Sequence, residues 1–443
     1  MKSERYEAYK DSEIKWLSEV PNHWQVVRAK DICQIFVPQR DKPELNEEKG
    51  TPWITSDLLE NAKIDYKKLK YLVDEGEIKY KRIRKVPANS VLASCIGEFC
   101  LTAINQFAVV INQQIQAYSY IKKQSSEFIN YQIQANVTRV YYETVATETT
   151  IKYINKEKFS FTPLYLPPLP EQKAIAHYLD SKTAQIDRKI DFLTQKATLY
   201  SNLKQSLIDE TVTRGLDKSV PMTDSGIEWL SEVPNHWKSG RLKDIISALE
   251  SGVSVNAANL SAQSDESGIL KTSCVSICGF NPNENKTILE EEIVRAKCNP
   301  RKGNIIISRM NTPELVGASG FIDKDYPNLF LPDRLWQTVF YRHAKINSKW
   351  LSYLLIVTRF REVVSFSATG SSPSMKNLSQ EKFLKIAIPL PSISEQKEIA
   401  NYLDTKTAQI DQIIQTINTQ IEKLKELRKT LINDVVTGKI KVV

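Results

Sequence analysis

The chain has 443 residues, 41% of them hydrophobic, and no apolar run long enough to cross a bilayer, so two to four folded domains are expected and no membrane span. A net charge of +8, from 60 basic and 52 acidic side chains, is too small a surplus to name a polyanionic partner by itself. No secretory leader pattern is visible; a cytoplasmic protein is expected, with Cys33, Cys95, Cys100, Cys274, Cys278 and Cys298 as reduced, structural thiols.

From the N-terminus, the first landmark is 14–24, Ile-Lys-Trp-Leu-Ser-Glu-Val-Pro-Asn-His-Trp, which returns at 227–237 with one change, Lys15 to Glu228. The stretch that follows, roughly 25–165, reads as mixed strand and helix. Ser90–Ser94 is a short apolar run entering a polar turn, as a buried strand does, and Phe128–Ile133 reads as a packed helix. Basic residues cluster before that strand at Lys79, Lys81, Arg82, Arg84 and Lys85. Their bland role is a solvated edge; their functional role is phosphate contact, which positions DNA without reading it. Base edges need polar side chains on turns, and the turn Cys95-Ile96-Gly97, then Asn105 and Gln106, are the candidates here, with Lys152 near the exit also expected at the DNA. Trp53, Phe107 and, in the second half, Trp336 are expected in the core.

A helix follows from Glu171-Gln172-Lys173, with Pro170 in its first turn and Gly215 as terminator. Ile186, Ile190, Leu193, Ala197 and Tyr200 recur at alternating spacings of four and three, with Leu203 and Leu207 extending the stripe. A second copy runs from Glu395-Gln396-Lys397, capped by Ser394, through Ile410, Ile414, Ile417, Ile421 and Leu424 to Leu427, Leu431 and Gly438. Either seam alone would expose its apolar stripe. Pairing the two antiparallel buries both and brings the N-terminal repeat near the C-terminus.

Between the two helices, 238–389 parallels the first variable stretch. Asn304–Ser308 matches Ser90–Ser94, Trp350–Leu355 matches Phe128–Ile133, and Lys376 falls opposite Lys152, with Leu378 opposite Ile154. Arg295, Lys297, Arg301 and Lys302 form its basic cluster; Arg309, Met310, Asn311, Thr312, Arg334 and the loop 370–376 are its reading candidates. Basic side chains outnumber acidic ones in both variable stretches. The fold class is therefore mixed α/β: two globular domains, two long helices in an antiparallel coiled coil, and an internal pseudo-two-fold repeat. The expected boundaries are 1–169, 170–215, 216–393 and 394–443.

Catalytic signatures are missing from the sequence. There is no phosphate-binding glycine loop and no dinucleotide or S-adenosylmethionine fingerprint. Glu171 and Glu395 read as helix-start carboxylates rather than nuclease residues, and His23 and His236 as packing or hydrogen-bonding histidines. Cys274, Cys278 and Cys298 lack a fourth zinc ligand. The chain is expected to be neither an enzyme nor a cofactor binder.

The repeated Trp-Leu-x-x-Val-Pro-x-x-Trp segment, the Glu-Gln helix entries and their Leu-Asp-x-Lys-Thr-Ala-Gln-Ile-Asp continuations resemble the DNA-specificity subunit of Type I restriction–modification systems over nearly the whole chain. The resemblance implies that 1–169 and 216–393 carry target-recognition domains, each reading half of an asymmetric, bipartite double-stranded target. It implies that the helices at 170–215 and 394–443 act as a ruler over the spacer. It further implies methyltransferase partner subunits that carry S-adenosylmethionine, and restriction–translocase subunits that use ATP and Mg. A non-catalytic scaffold that holds partners through its helices is the alternative.

Overall fold

The structure, a computed structural model, describes residues 4–59, 63–147, 150–276, 279–372 and 375–442. It divides into two compact units, Met1–Thr194 with Asn418–Val443, and Gln195–Ile417. Each unit contains part of both long helices, Leu169–Arg214 and Ile393–Val436. Neither helix holds a proline or glycine beyond its first turn, so nothing interrupts the backbone ladder.

The expected seam is where the helices bury apolar surface. In the first unit Leu193 and Ile421 are buried, with Ile186, Ile190 and Leu424 half-buried. In the second, Ile410 and Ile417 are buried, with Ala197, Tyr200 and Ile414 half-buried. Ion pairs flank the seam and show that the helices run antiparallel: Arg428 to Asp187 at 3.0 Å in one unit, Lys204 to Asp411 at 2.7 Å in the other. These are one bond repeated, since Asp411 and Arg428 each stand 224 residues after their counterparts. The extension through Leu203 and Leu427 is corrected: both point to solvent, 53% and 54% exposed. After Tyr200 the buried face steps by four, to Lys204 and then Ile208; in the other copy it steps from Leu424 to Arg428 and then Ile432. Long cationic side chains cover the seam there while their charge meets the aspartate.

Helix ends are fixed locally. Gly215 and Gly438 adopt positive φ, +75° and +74°, as terminators. A Cβ at Gly438 would lie 2.4 Å from the Pro21 ring. At the second entry the cap is Ser392 rather than Ser394; its hydroxyl accepts the Glu395 amide at 3.3 Å.

Each 14–24-type repeat belongs to a β-hairpin, Tyr9–Ile14 with Leu17–Pro21 and Met222–Ile227 with Leu230–Pro234. A buried serine, Ser12 or Ser225, donates to the carbonyl of Leu17 or Leu230 across each hairpin bend. In the first unit the hairpin reaches the chain end, where the Tyr9 hydroxyl donates to the Gly438 carbonyl at 2.9 Å and Lys441 bridges to Glu4.

The variable stretches share one fold. Four antiparallel strands lie in the order Gln34–Phe36, Ile115–Ser119, Val91–Ser94, Thr102–Ile104; the second unit repeats this as Ile246–Ser251, Leu335–Phe340, Ile305–Ser308, Ser319–Phe321. A smaller sheet recurs beside each, Leu72–Val73, Thr51–Ile54, Val110–Ile111, and Asn285–Thr287, Gly268–Leu270, Leu329–Phe330. The helices Ser126–Gln134 and Ser348–Leu354 fasten each domain to the frame: Tyr131 donates to Asp180 at 2.7 Å and Tyr353 to Asp404 at 2.6 Å. Entry and exit strands pair as well, Gln25–Arg28 with Pro163–Leu166 and Lys238–Arg241 with Ala387–Leu390.

The seam register is directly testable. Ile421→Ala, at 8% exposure, should cost about 2–4 kcal/mol of stability, whereas Leu427→Ala, at 54%, should stay within about 0.5 kcal/mol. Denaturant unfolding of the two variants gives the comparison; equal losses would mean that the buried face runs through Leu427 after all.

Candidate nucleic-acid interface

The central strand of each domain ends in the polar turn expected from the sequence, and backbone bonds build the same small platform around it. In the first unit the Cys95 amide donates to Gln114 and the Ile154 amide to Cys95, both at 2.8 Å, while Ile96 bridges Tyr153. In the second, the Arg309 amide donates to Arg334 at 3.0 Å and the Leu378 amide to Arg309 at 2.8 Å, while Met310 and Asn311 pair with Asn377 and Lys376. Arg309, Asn311, Arg334 and Lys376 therefore gather at one turn. Arg334 is exposed and the other three half-buried.

Their chemistry is partly committed. The Arg309 guanidinium lies 5.6 Å over the Trp336 ring, a cation–π contact that fixes its direction. Asn311 donates to the Ser308 hydroxyl at 3.2 Å, and Lys376 to the Ser365 carbonyl at 3.4 Å. In the first unit the matching positions hold Gln114, Lys152 and Tyr153, all three exposed. Gln114 escaped the sequence reading, as did the turn Asn112–Gln114, because an amide-rich turn between two short strands carries no charge signal. The Gln113 amide group bonds the carbonyls of Gln39 and Arg40 at 3.2 and 3.0 Å, which brings the loop around 39–40 to the same turn.

Asn105 does not face solvent. It is fully buried, its carbonyl accepting the Ser90 amide at 2.9 Å and its amide donating to Pro87 and Phe107 at 2.8 and 2.7 Å. A side chain so occupied shapes the end of the sheet rather than touching a base. Gln106 beside it is exposed. Trp53 and Trp336 are core residues as expected, but Phe107 is 63% exposed and packs edge-on against Tyr66.

The basic clusters split by partner. Lys81 pairs with Glu77 and Lys85 with Glu75, each at 2.7 Å; these lysines hold both carboxyls below their usual range. Arg84 donates to the Val37 carbonyl at 3.0 Å and lies over Phe36. Lys79 and Arg82 are exposed with no carboxylate partner among the described residues. In the second unit Arg295 pairs with Glu292 at 2.6 Å and Arg301 with Glu250. Lys297 and Lys302 are the exposed cations there that lack such a partner among the described residues.

Cys278 and the loop residues Pro373 and Ser374 lie outside the described residues. Burial pushes the Cys33 and Cys100 thiols up to about 12 and those of Cys95 and Cys298 to about 11, so all four are neutral thiols at pH 7. Among the described residues no three His, Cys, Asp or Glu side chains converge as metal ligands, and no helix is long and apolar enough to cross a membrane.

The family described as Type I restriction modification DNA specificity domain matches residues 21–196 and 234–423. The MjaVIII specificity subunit of a Type I restriction enzyme from Methanocaldococcus jannaschii is 24% identical over an alignment of 453 positions, covering 98% of this chain and 97% of that one. The EcoKI specificity subunit from Escherichia coli is 23% identical over 325 positions, covering 71% of this chain and 66% of that one. Among solved structures, a chain described under complex assembly and conformational transition of the type I R-M system superposes with a TM-score of 0.70 at 14% identity, covering 94% of this chain and 98% of that one.

The split among the cations has a measurable consequence. Arg82→Ala and Lys302→Ala should each lower the salt dependence of DNA binding by about 0.9 in log–log slope, the value of one phosphate contact, while Lys81→Ala and Arg301→Ala leave it nearly unchanged. A titration of affinity against salt tests this, and four identical slopes would remove the distinction.

Proposed function

The chain belongs to the Type I restriction–modification DNA specificity family, and from that membership we propose that it reads a bipartite, asymmetric double-stranded DNA target, one half-site per unit, and directs adenine methylation or cleavage by partner subunits. The observation that carries this reading is the pair of turn platforms. Their backbone bonding is the same, while three of the four matched side chains differ: buried Cys95, Gln114 and Tyr153 in one unit stand where Arg309, Arg334 and Asn377 stand in the other, and Lys152 and Lys376 are shared. A shared scaffold with different donors and acceptors suits two different half-sites, because base identity is read by the donor and acceptor pattern at the groove edge. Exposed cations elsewhere on each domain supply sequence-independent phosphate contact.

The chain's own part is selection. Methyltransferase subunits, docked on the constant hairpins and helices, bring S-adenosylmethionine, and restriction–translocase subunits bring ATP and Mg chemistry.

Sequence-resolved methylation after co-expression with the methyltransferase subunit is the test. One asymmetric bipartite adenine motif is expected. Arg334→Ala should relax one position of one half-site, worth about 1–3 kcal/mol of discrimination, and leave the other half-site unchanged. An assembled, active complex that methylates without any reproducible motif would refute the reading.

A further inference from the structure

The first unit carries a second basic surface that the reading platform does not use. Between the strands Thr51–Ile54 and Leu72–Val73 lie Lys63, Lys67, Lys68 and Lys70, all exposed and without a carboxylate partner among the described residues. Asp65 is the acidic residue set among them, and it caps the short turn by accepting the Lys67 amide at 3.1 Å.

Topology places this segment at the far end of the four-stranded sheet from the turn at Cys95–Gly97. Lys63 bridges Ile104, and Ile104 pairs with Val91, the first residue of the central strand, whereas the turn follows its last residue, Ser94. The two ends lie about 13 Å apart, at ~3.3 Å per residue over four residues. At that same end, Tyr118 pairs with Val91, so the chain leaves the sheet into Tyr120, Lys122 and Lys123. The Ser90 hydroxyl meets Ser119 at 3.2 Å, and the Ser90 amide meets Asn105 at 2.9 Å, tying the strands together there. Phe107 and Tyr120, each 63% exposed, stand among these lysines, with Phe107 propped edge-on by Tyr66 at 5.5 Å.

The second unit does not repeat the lysine segment between these strands. Between its equivalent strands, residues 271–284 hold one basic residue, Lys271, and it faces Glu284 at 3.7 Å. That lysine-rich segment is therefore particular to the first unit, whereas the sheet end beside it carries exposed cations in the second unit too, at Lys302, Lys324 and Arg342.

We propose that this end of the first domain is a second, sequence-independent DNA-binding surface, which grips the phosphate backbone of duplex outside the recognised half-site. Lysine is a hydrated point charge without the fork that reads guanine, and it is depleted from protein–protein interfaces, so a cluster of six favours phosphate over base edges or a protein partner. Phe107 and Tyr120 add apolar contacts of the kind that groove binders use. The proposal extends the DNA-reading function and rests on it only in taking DNA as the polyanion.

The test compares the full-length chain with Lys63→Gln/Lys67→Gln/Lys68→Gln/Lys122→Gln on two probes, a duplex limited to the mapped motif and the same duplex extended by random sequence. The wild type should bind the extended probe more tightly. The variant should lose that advantage, and its salt slope on the extended probe should fall by about 3.6, at roughly 0.9 for each of four phosphate contacts, with the methylated motif unchanged. An unchanged slope on the extended probe overturns the proposal. So does intact DNA binding joined to loss of co-purification with the methyltransferase subunit, which would assign the lysines to an acidic protein surface. Failure of the wild type to prefer its motif over random duplex would instead sink the half-site reading, and the slope comparison would still decide this one.

Discussion

The carboxylate at the start of each long helix is the contact on which the frame depends. Glu171 accepts His23 at 2.9 Å, Trp24 at 3.2 Å and the Tyr6 hydroxyl at 2.7 Å; Glu395 accepts His236 at 3.1 Å and Trp237 at 2.9 Å. Both carboxylates are mostly covered, 14% and 21% exposed, so these donors are needed to replace water. The helix N-terminus favours the negative charge as well. The neighbouring glutamine completes the joint: Gln172 holds the Ser125 amide at 3.0 Å and the Pro167 carbonyl at 2.8 Å, and Gln396 does the same for Asn347 and Pro391 at 2.7 and 2.9 Å. Two motifs that recur apart in the sequence are thus the two halves of one joint.

That pairing explains which parts of the architecture were legible. Seam positions repeat every three or four residues, and apolar periodicity reports burial directly, so the helices, their antiparallel partnership and the matched strands at 90–94 and 304–308 could be read. The error at Leu203 and Leu427 has a physical source: two leucines continued a pattern by identity, whereas the covering residues are Lys204 and Arg428, whose aliphatic stems pack and whose charges meet aspartate. Polarity at the head group hid their position.

The interface was legible in outline only. Composition located cations near the central strands, but partnership decides which are available, and that depends on glutamates brought in by folding. Glu250 reaches Arg301 across 51 residues, beyond any local pattern. Asn105 looked like a reader because it is an amide in a polar stretch, yet the sheet end consumes its bonding capacity. Gln114 carries no charge, and its place beside Cys95 becomes visible only through the strand register.

The joint also sets how much sequence freedom each domain has. Each domain is inserted between the tryptophan and the glutamate of its own clamp, and its entry and exit strands pair immediately behind it, Gln25 opposite Leu166 and Lys238 opposite Leu390. Both chain ends of the domain are therefore held by backbone hydrogen bonds and by clamp residues outside it. Few demands then fall on the side chains in between beyond filling the core and the tyrosine contact to Asp180 or Asp404. Divergence of the two domains under a near-identical frame follows from this arrangement. The frame fixes where the turn platform stands, and the platform's side chains can change without disturbing what holds it.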